Sequence, residues 1–288
     1  MNLINNKYRN VITIILIGLC TGCEREVDLK IPGHESLLVV EGWIEQDRTP
    51  RVLLSLSAPY FIKIDSSNLR QYSVTTAKVT VFSNSESDIL TLKPNDVYFP
   101  PYFYFGTSFT GIEDNTYDIE IVFRGETYTA TTTIPNIVSP DSVWFEKEES
   151  SDTLGLIWFE IVDNGNENNY YRTLTKRIGK DRRYIPTFNS VFSDETFNGD
   201  TLRLFASRGS ASLLDLGENH YFDVGDTIVF KLCSIDKESY EFWNSLQKQI
   251  ISSANPFTVS NEKVQTNIEG GLGIWYGCAA SYDTVVAR

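Results

Sequence analysis

The sequence predicts a mainly β protein of two antiparallel β-sandwich-like domains, immunoglobulin-like or transthyretin-like, with one amphipathic helix near the C-terminus. Three observations carry that prediction. From Ser36 onward apolar residues recur with a period of two, as they do in strands that bury one face. The aromatic share is 13% and the single methionine is the initiator, so the core is built from Tyr, Phe, Trp, Val, Ile and Leu, types that suit a pleated, half-buried surface. Only one stretch carries a convincing helical repeat, and short strands punctuated by turn residues indicate a sandwich.

The chain opens differently. Lys7 and Arg9 precede an apolar run from Val11 to Leu19, about half of the roughly 20 residues a helix needs to cross a bilayer. Thr21 and Gly22 then lead to Cys23. Small residues ahead of a cysteine give the pattern of a bacterial lipoprotein signal over residues 1–22, cut before a Cys23 whose thiol carries lipid. Leu is usual three residues before the cysteine, and Cys20 stands there instead. Cutting before Cys20 would put the bulky Leu19 at the cleavage site, which favours Cys23. The alternative is a secretion signal with an incidental cysteine. Residues 23–35 form a charged tether that includes Glu24, Glu26 and Asp28 and runs past Pro32 and Gly33.

Residues 36–138 read as the first sandwich-like domain. LLVVEGW leads to RVLLSLS, where Val52, Leu54 and Leu56 alternate with Leu53 and serines. YDIEIVF is the clearest strand, with Tyr117, Ile119, Ile121 and Phe123 on one face and Asp118 and Glu120 on the other. Arg124, Gly125 and Glu126 then turn the chain into TYTATTTI, and Ile134, Pro135, Ser139 and Pro140 bracket a boundary.

Residues 139–288 read as a second β-rich domain. SVWFEKE and TLGLIWFEIV are strands, and Asp163 to Asn169 is a polar connection. That connection makes a poor calcium loop, because Gly165 occupies the third position, where an oxygen ligand belongs. The stretch from Arg177 to Thr201 has weak periodicity and suggests long loops on one edge, where binding function is often placed. The helix is expected over 237–252. Asp236 is its cap, Ile235 and Tyr240 its hydrophobic staple, and Ile235, Phe242, Trp243, Leu246 and Ile250 its apolar face. NIEGGLGIWYG opens the last strand, and its glycines mark positive φ or close strand approach rather than a phosphate cradle.

Composition excludes several functions. A net charge of −13 argues against nucleic acid as a partner. Only His34 and His220 exist, no G-x-S-x-G elbow accompanies His220, and there is no P-loop, H-E-x-x-H or dinucleotide fingerprint. No cofactor or metal is expected. Cleavage removes Cys20 and lipid occupies Cys23, which leaves Cys233 and Cys278 either as a disulfide or as two separate buried thiols.

One segment stands out as a binding surface. Val97 to Phe105 holds Tyr98, Phe99, Tyr102, Phe103, Tyr104 and Phe105 around Pro100 and Pro101. Successive strand side chains point to opposite sides, so these rings do not all enter one core unless the segment lies between two layers. Exposed members would suit sugar stacking, a protein partner or the lipid interface.

Several segments together resemble a known family. CEREVDL, LVVEGWI, LLSLSAPYF, NNYYR, VGDTIVFKL, and the helix ending in NPF and NIEGGLGIWYG look like the Bacteroidota lipoproteins catalogued as domain of unknown function 4249. The resemblance covers nearly the whole mature chain and supplies no catalytic residues. It implies an outer-membrane lipoprotein, lipid-anchored and exposed at the cell surface, with the acids after Cys23 as its export signal. It further implies a TonB-dependent outer-membrane receptor as partner, with the chain helping to capture an unknown ligand. The alternatives are a structural or assembly lipoprotein and a surface hydrolase using His220 or a carboxylate pair.

Overall fold

The structure, a computed structural model, describes residues 35–59, 68–84, 86–162, 165, 168–195, 199–209, 220–253 and 263–288. Cys23, Glu24, Glu26, Asp28 and His34 lie outside the described residues. In chain order the first eight strands are β1 (Leu38–Glu45), β2 (Arg51–Leu56), β3 (Lys78–Ser83), β4 (Glu86–Ile89), β5 (Thr91–Pro94), β6 (Tyr102–Phe105), β7 (Thr116–Phe123) and β8 (Glu126–Thr133). They are followed by β9 (Ser142–Lys147), β10 (Leu154–Val162), β11 (Tyr170–Arg177), β12 (Ile185–Ser193), β13 (Thr201–Ala206) and β14 (Phe222–Asp223). The last elements are β15 (Thr227–Ile235), the helix α1 (Lys237–Ser253) and β16 (Leu272–Val286).

Regions 36–138 and 139–288 each supply one four-stranded sheet of their own, β4-β3-β7-β8 and β13-β10-β14 with β9 on β10. They jointly supply the third, an eight-stranded sheet ordered β12-β11-β15-β16-β1-β2-β6-β5. The join is the pairing of β1 with β16, a parallel ladder from Val39 opposite Leu272 to Glu45 opposite Cys278. Residues 36–288 accordingly form one compact unit, in which two sandwiches share a continuous layer.

Alternation decides what each strand gives to that layer. On β1, Leu38, Val40 and Ile44 enter the first core, where they meet Val81, Ile119 and Ile121 of the β4-β3-β7-β8 sheet. Trp275 of β16 is fully buried there, and its Nε1 donates to the carbonyl of Tyr117 at 3.0 Å. The second core packs Phe230 and Leu232 of β15 and Tyr171 of β11 against Ile157, Phe159 and Phe222. Trp275 and Ala279 point into the first core and Val285 against the second, so both small sheets cover the same side of the eight-stranded sheet.

The opposite side carries the helix. Asp236 caps it, accepting from the Ser239 backbone N–H at 2.9 Å and from the Ser239 hydroxyl. Ile235 and Tyr240 pack together in a third cluster with Trp243, Cys233 and Cys278. Helix and sheet are also joined by Gln247, whose Oε1 accepts from the Ser190 backbone N–H at 2.6 Å and hydroxyl at 2.9 Å. Among the described residues no helix is long and apolar enough to cross a membrane.

Gly273 explains the glycine-rich entry to β16. Its φ is +101°, and a Cβ there would lie 1.9 Å from the Val40 carbonyl oxygen, so β1 and β16 could not pair at this register with any other residue. The stretch from Arg177 to Thr201, expected as loops, instead contains β12, which is indeed an edge of the sheet. Its periodicity is weak because the β11–β12 register shifts between Arg172 and Leu174, and Asn189 sits at φ +53°.

Candidate functional site: a cationic aromatic basin

The residues of β1 that alternate with its core positions are Glu41, Trp43 and Glu45, and on β15 the residue between Phe230 and Leu232 is Lys231. Tyr276 and Tyr282 occupy the same side of β16. On this face the sheet is left partly open between the helix and the segment after β5, and the opening is a basin of about 160 Å³. Its floor is built by Glu41, Trp43, Glu45, Lys231, Tyr276 and Tyr282. Arg172 and Leu174 of β11, Arg51 of β2 and Arg48 complete one part of the wall. Tyr98, Arg183, Tyr184 and Pro186 complete the rest.

The aromatic groups are fixed by one another. The Trp43 ring lies 5.4 Å from Phe103 edge-on, 6.3 Å from Tyr98 and 6.5 Å from Tyr276. Arg172 is held over Trp243 of the helix at 3.4 Å from the ring centre, and its Nη1 donates to the Tyr276 hydroxyl at 3.3 Å. Arg183 lies over Tyr98 at 4.8 Å. Such contacts hold long cationic side chains in place and lower the entropy lost on binding.

The two carboxylates differ in environment. Glu45 receives Lys231 Nζ at 2.5 Å, Arg48 Nε at 2.9 Å and the Tyr282 hydroxyl. Burial opposes its charge, but Lys231, Tyr282 and Arg48 outweigh burial and hold the carboxyl below the usual range. Glu41 is exposed in the basin, and partial desolvation by the surrounding side chains pushes its carboxyl up, against the pull of Arg172 and Arg183. Burial likewise pushes the Tyr98, Tyr276 and Tyr282 hydroxyls up, so these groups stay neutral hydrogen-bond formers.

The aromatic segment is divided between sides. Tyr98 lines the basin, Phe103 packs edge-on against Trp43 at 1% exposure, and Tyr104 points into the first core, donating to the Val74 carbonyl at 3.2 Å. Phe105 packs against Phe103 and lies under Arg51, whereas Phe99 and Tyr102 face outward. Cys233 and Cys278 are both buried and free. No disulfide joins them; the ladder sets Cys233 opposite Ala280 and Cys278 opposite Ile235, two pairs apart. His220 lies against Phe188 at 5.6 Å and does not line the basin. Among the described residues no group of three or more His, Cys, Asp or Glu could hold a metal ion.

Sequence reasoning singled out Tyr98 and missed the rest of the basin. A signal was present: Glu41 and Glu45 interrupt LVVEGWIE, and Lys231 interrupts IVFKLCSI, each at the positions that alternate with core residues. Charges at such positions mark either a solvated face or an internal site, and period alone does not separate the two.

A family model described as "Domain of unknown function (DUF4249)" matches residues 24–283. The chain belongs to that family. The match begins one residue after Cys23 and takes in the whole basin, so in this DUF4249 chain the site lies inside the family domain. Comparison with curated proteins finds no match for the chain. Among solved structures, a segment of two fibronectin type III domains from chicken tenascin aligns at 12% identity over 69% of this chain and 91% of that one, with a TM-score of 0.20. The fold of this DUF4249 chain is mainly β, with its layers joined through β1 and β16.

Proposed function

We propose that the chain is a surface-exposed outer-membrane lipoprotein that captures a ligand in the basin and works as an accessory of a TonB-dependent transporter. The basin is the observation that carries the reading: a preformed concavity on a sheet face, lined by fixed aromatic rings and a few charged groups, is the form of a binding site. The signal pattern ending at Cys23 and the acidic tether support the placement. Stable anchoring takes more than one acyl chain, and a lipidated N-terminal cysteine supplies several. A partner confined to the same membrane is met at high effective concentration, so modest affinity suffices.

Binding is favoured over hydrolysis by the placement of the carboxylates. Glu41 and Glu45 stand on one strand four residues apart, a backbone separation of roughly 13 Å at about 3.3 Å per residue. Glycoside hydrolysis needs carboxyls about 5 to 10 Å apart across a cleft. Glu45 is also fully engaged by Lys231, Arg48 and Tyr282.

Affinity purification of the tagged lipoprotein from gently solubilised outer membrane tests the reading. A TonB-dependent receptor is expected to come with it. Repeated recovery of the lipoprotein without any receptor overturns the accessory role.

A further inference from the structure

Two unlike charges share the basin without pairing. Arg172 of β11 is 5% exposed, and its Nε is shielded from solvent with no hydrogen-bond partner. Among the described residues no carboxylate makes an ion pair with it. Glu41 of β1 is exposed in the basin, and among the described residues its carboxylate makes no ion pair either. The other carboxylate, Glu45, is taken up by Lys231, Arg48 and the Tyr282 hydroxyl, and Arg183 is engaged over Tyr98. A buried guanidinium and a desolvated carboxylate are each costly until an opposite charge meets them.

A chain of contacts sets where the two charges stand. Glu41 and Trp43 share one side of β1, two residues apart, and Trp43 is the ladder partner of Tyr276 on β16. The Tyr276 hydroxyl in turn accepts from Arg172 Nη1 at 3.3 Å. The charge of Arg172 is felt at Glu41, yet the two lie beyond the 4.0 Å of an ion pair. Tyr276 receives the Arg172 bond and donates its own proton to no acceptor among the described residues, so guanidinium and hydroxyl make a corner of donors for a carboxylate. Glu41 supplies the acceptor for a cation. Trp43 and Tyr98, with ring centres 6.3 Å apart, add an apolar wall. The volume of about 160 Å³ suits one small molecule, since a cavity of about 150 Å³ accepts benzene.

We propose that the basin binds a free α-amino acid with an apolar side chain, its carboxylate on Arg172 and the Tyr276 hydroxyl, its ammonium on Glu41 and its side chain against Trp43 and Tyr98. An α-amino acid carries its two charges on neighbouring atoms of one small head, so it fills a gap between unlike charges that do not touch. A simple acid would satisfy Arg172 and set a second carboxylate near Glu41. A simple amine would satisfy Glu41 and leave Arg172 as it is. The inference rests on the basin as the capture site of the function proposed above.

Isothermal titration of the full chain in detergent micelles tests it, with L-leucine and L-phenylalanine as probes. At least one is expected to bind. Its analogues with one charge removed should each bind at least tenfold more weakly: isocaproate and isopentylamine for leucine, hydrocinnamate and phenethylamine for phenylalanine. Glu41→Gln should weaken the amino acid at least tenfold, leave the acid analogue bound no more weakly than before, and keep thermal unfolding unchanged. Tyr276→Phe, which removes only the hydroxyl, should weaken the amino acid severalfold. No binding of either amino acid at millimolar concentration, an analogue that binds as tightly as its amino acid, or undiminished binding by Glu41→Gln overturns the proposal. Receptor recovery without amino-acid binding would remove this ligand class and leave the accessory role standing. Amino-acid binding without a receptor would do the reverse.

Discussion

Lys231 Nζ lies 2.5 Å from Glu45 Oε2, and this contact ties β15 to β1 across the intervening strand β16. Both residues are buried, at 8% and 5% exposure, and Tyr282 of the middle strand donates its hydroxyl to the other Glu45 oxygen. The ion pair thus sits where the two halves of the chain are joined, directly beneath the basin.

Removing one partner of such a pair leaves a buried charge. Lys231→Met is expected to destabilise the protein by about 3 kcal/mol in denaturant unfolding at pH 7, and the double variant Lys231→Met, Glu45→Gln by less. Glu45 has a depressed folded-state pKa, so its stabilisation is present above the unfolded value of about 4.3 and is lost as pH falls through the folded value. The wild type should therefore lose stability below pH 4 more steeply than Glu45→Gln. Parallel pH profiles for the two proteins would contradict this assignment.

Asp236 behaves with the opposite sign. Burial pushes its carboxyl up, although Ser239, Thr132 and Thr133 all donate to it. A raised folded-state pKa means that the charged form is disfavoured by folding, so Asp236 adds stability as pH falls through that value. Asp236→Ala should cost about 1 to 2 kcal/mol through the lost cap, and Asp236→Asn should cost less at pH 7. Circular dichroism melting of both variants checks the order, and an Asn variant weaker than the Ala variant would refute it.

Gly273 leaves no room for a side chain. Gly273→Ala is expected to break the β1–β16 pairing and prevent accumulation of folded protein, whereas Gly179→Ala, with open space around its Cβ position, should lower stability by about 1 kcal/mol through its positive φ. Limited proteolysis distinguishes the two, and a protease-resistant Gly273→Ala would show that this register is not required.

The thiols of Cys233 and Cys278 are each about 2% exposed, and burial pushes that of Cys278 well up. Iodoacetamide should leave both unmodified in the native protein and label both after unfolding, as read by peptide mass spectrometry. Recovery of a Cys233–Cys278 disulfide from native protein would overturn the free-thiol geometry.

Much of the fold was legible in the chain because strands and helices write their faces as periods. Tyr117, Ile119, Ile121 and Phe123 are all in the core as their alternation required, and the helix begins one residue after Asp236 because a carboxylate there satisfies free N–H groups. A period assigns a residue to a side of its strand and says nothing about which strand lies beside it. Glu41, Glu45, Lys231 and Arg172 each stood in a recognisable strand, and only the parallel pairing of β1 with β16 and the seating of β15 and β11 beyond it bring them into one basin. That pairing joins segments near opposite ends of the chain, and its register is set by contacts such as Gly273 against Val40 and Trp275 against Tyr117. The sequence by itself determined the strand faces, the helix and its cap. The tertiary structure decided the neighbours, and with them the site.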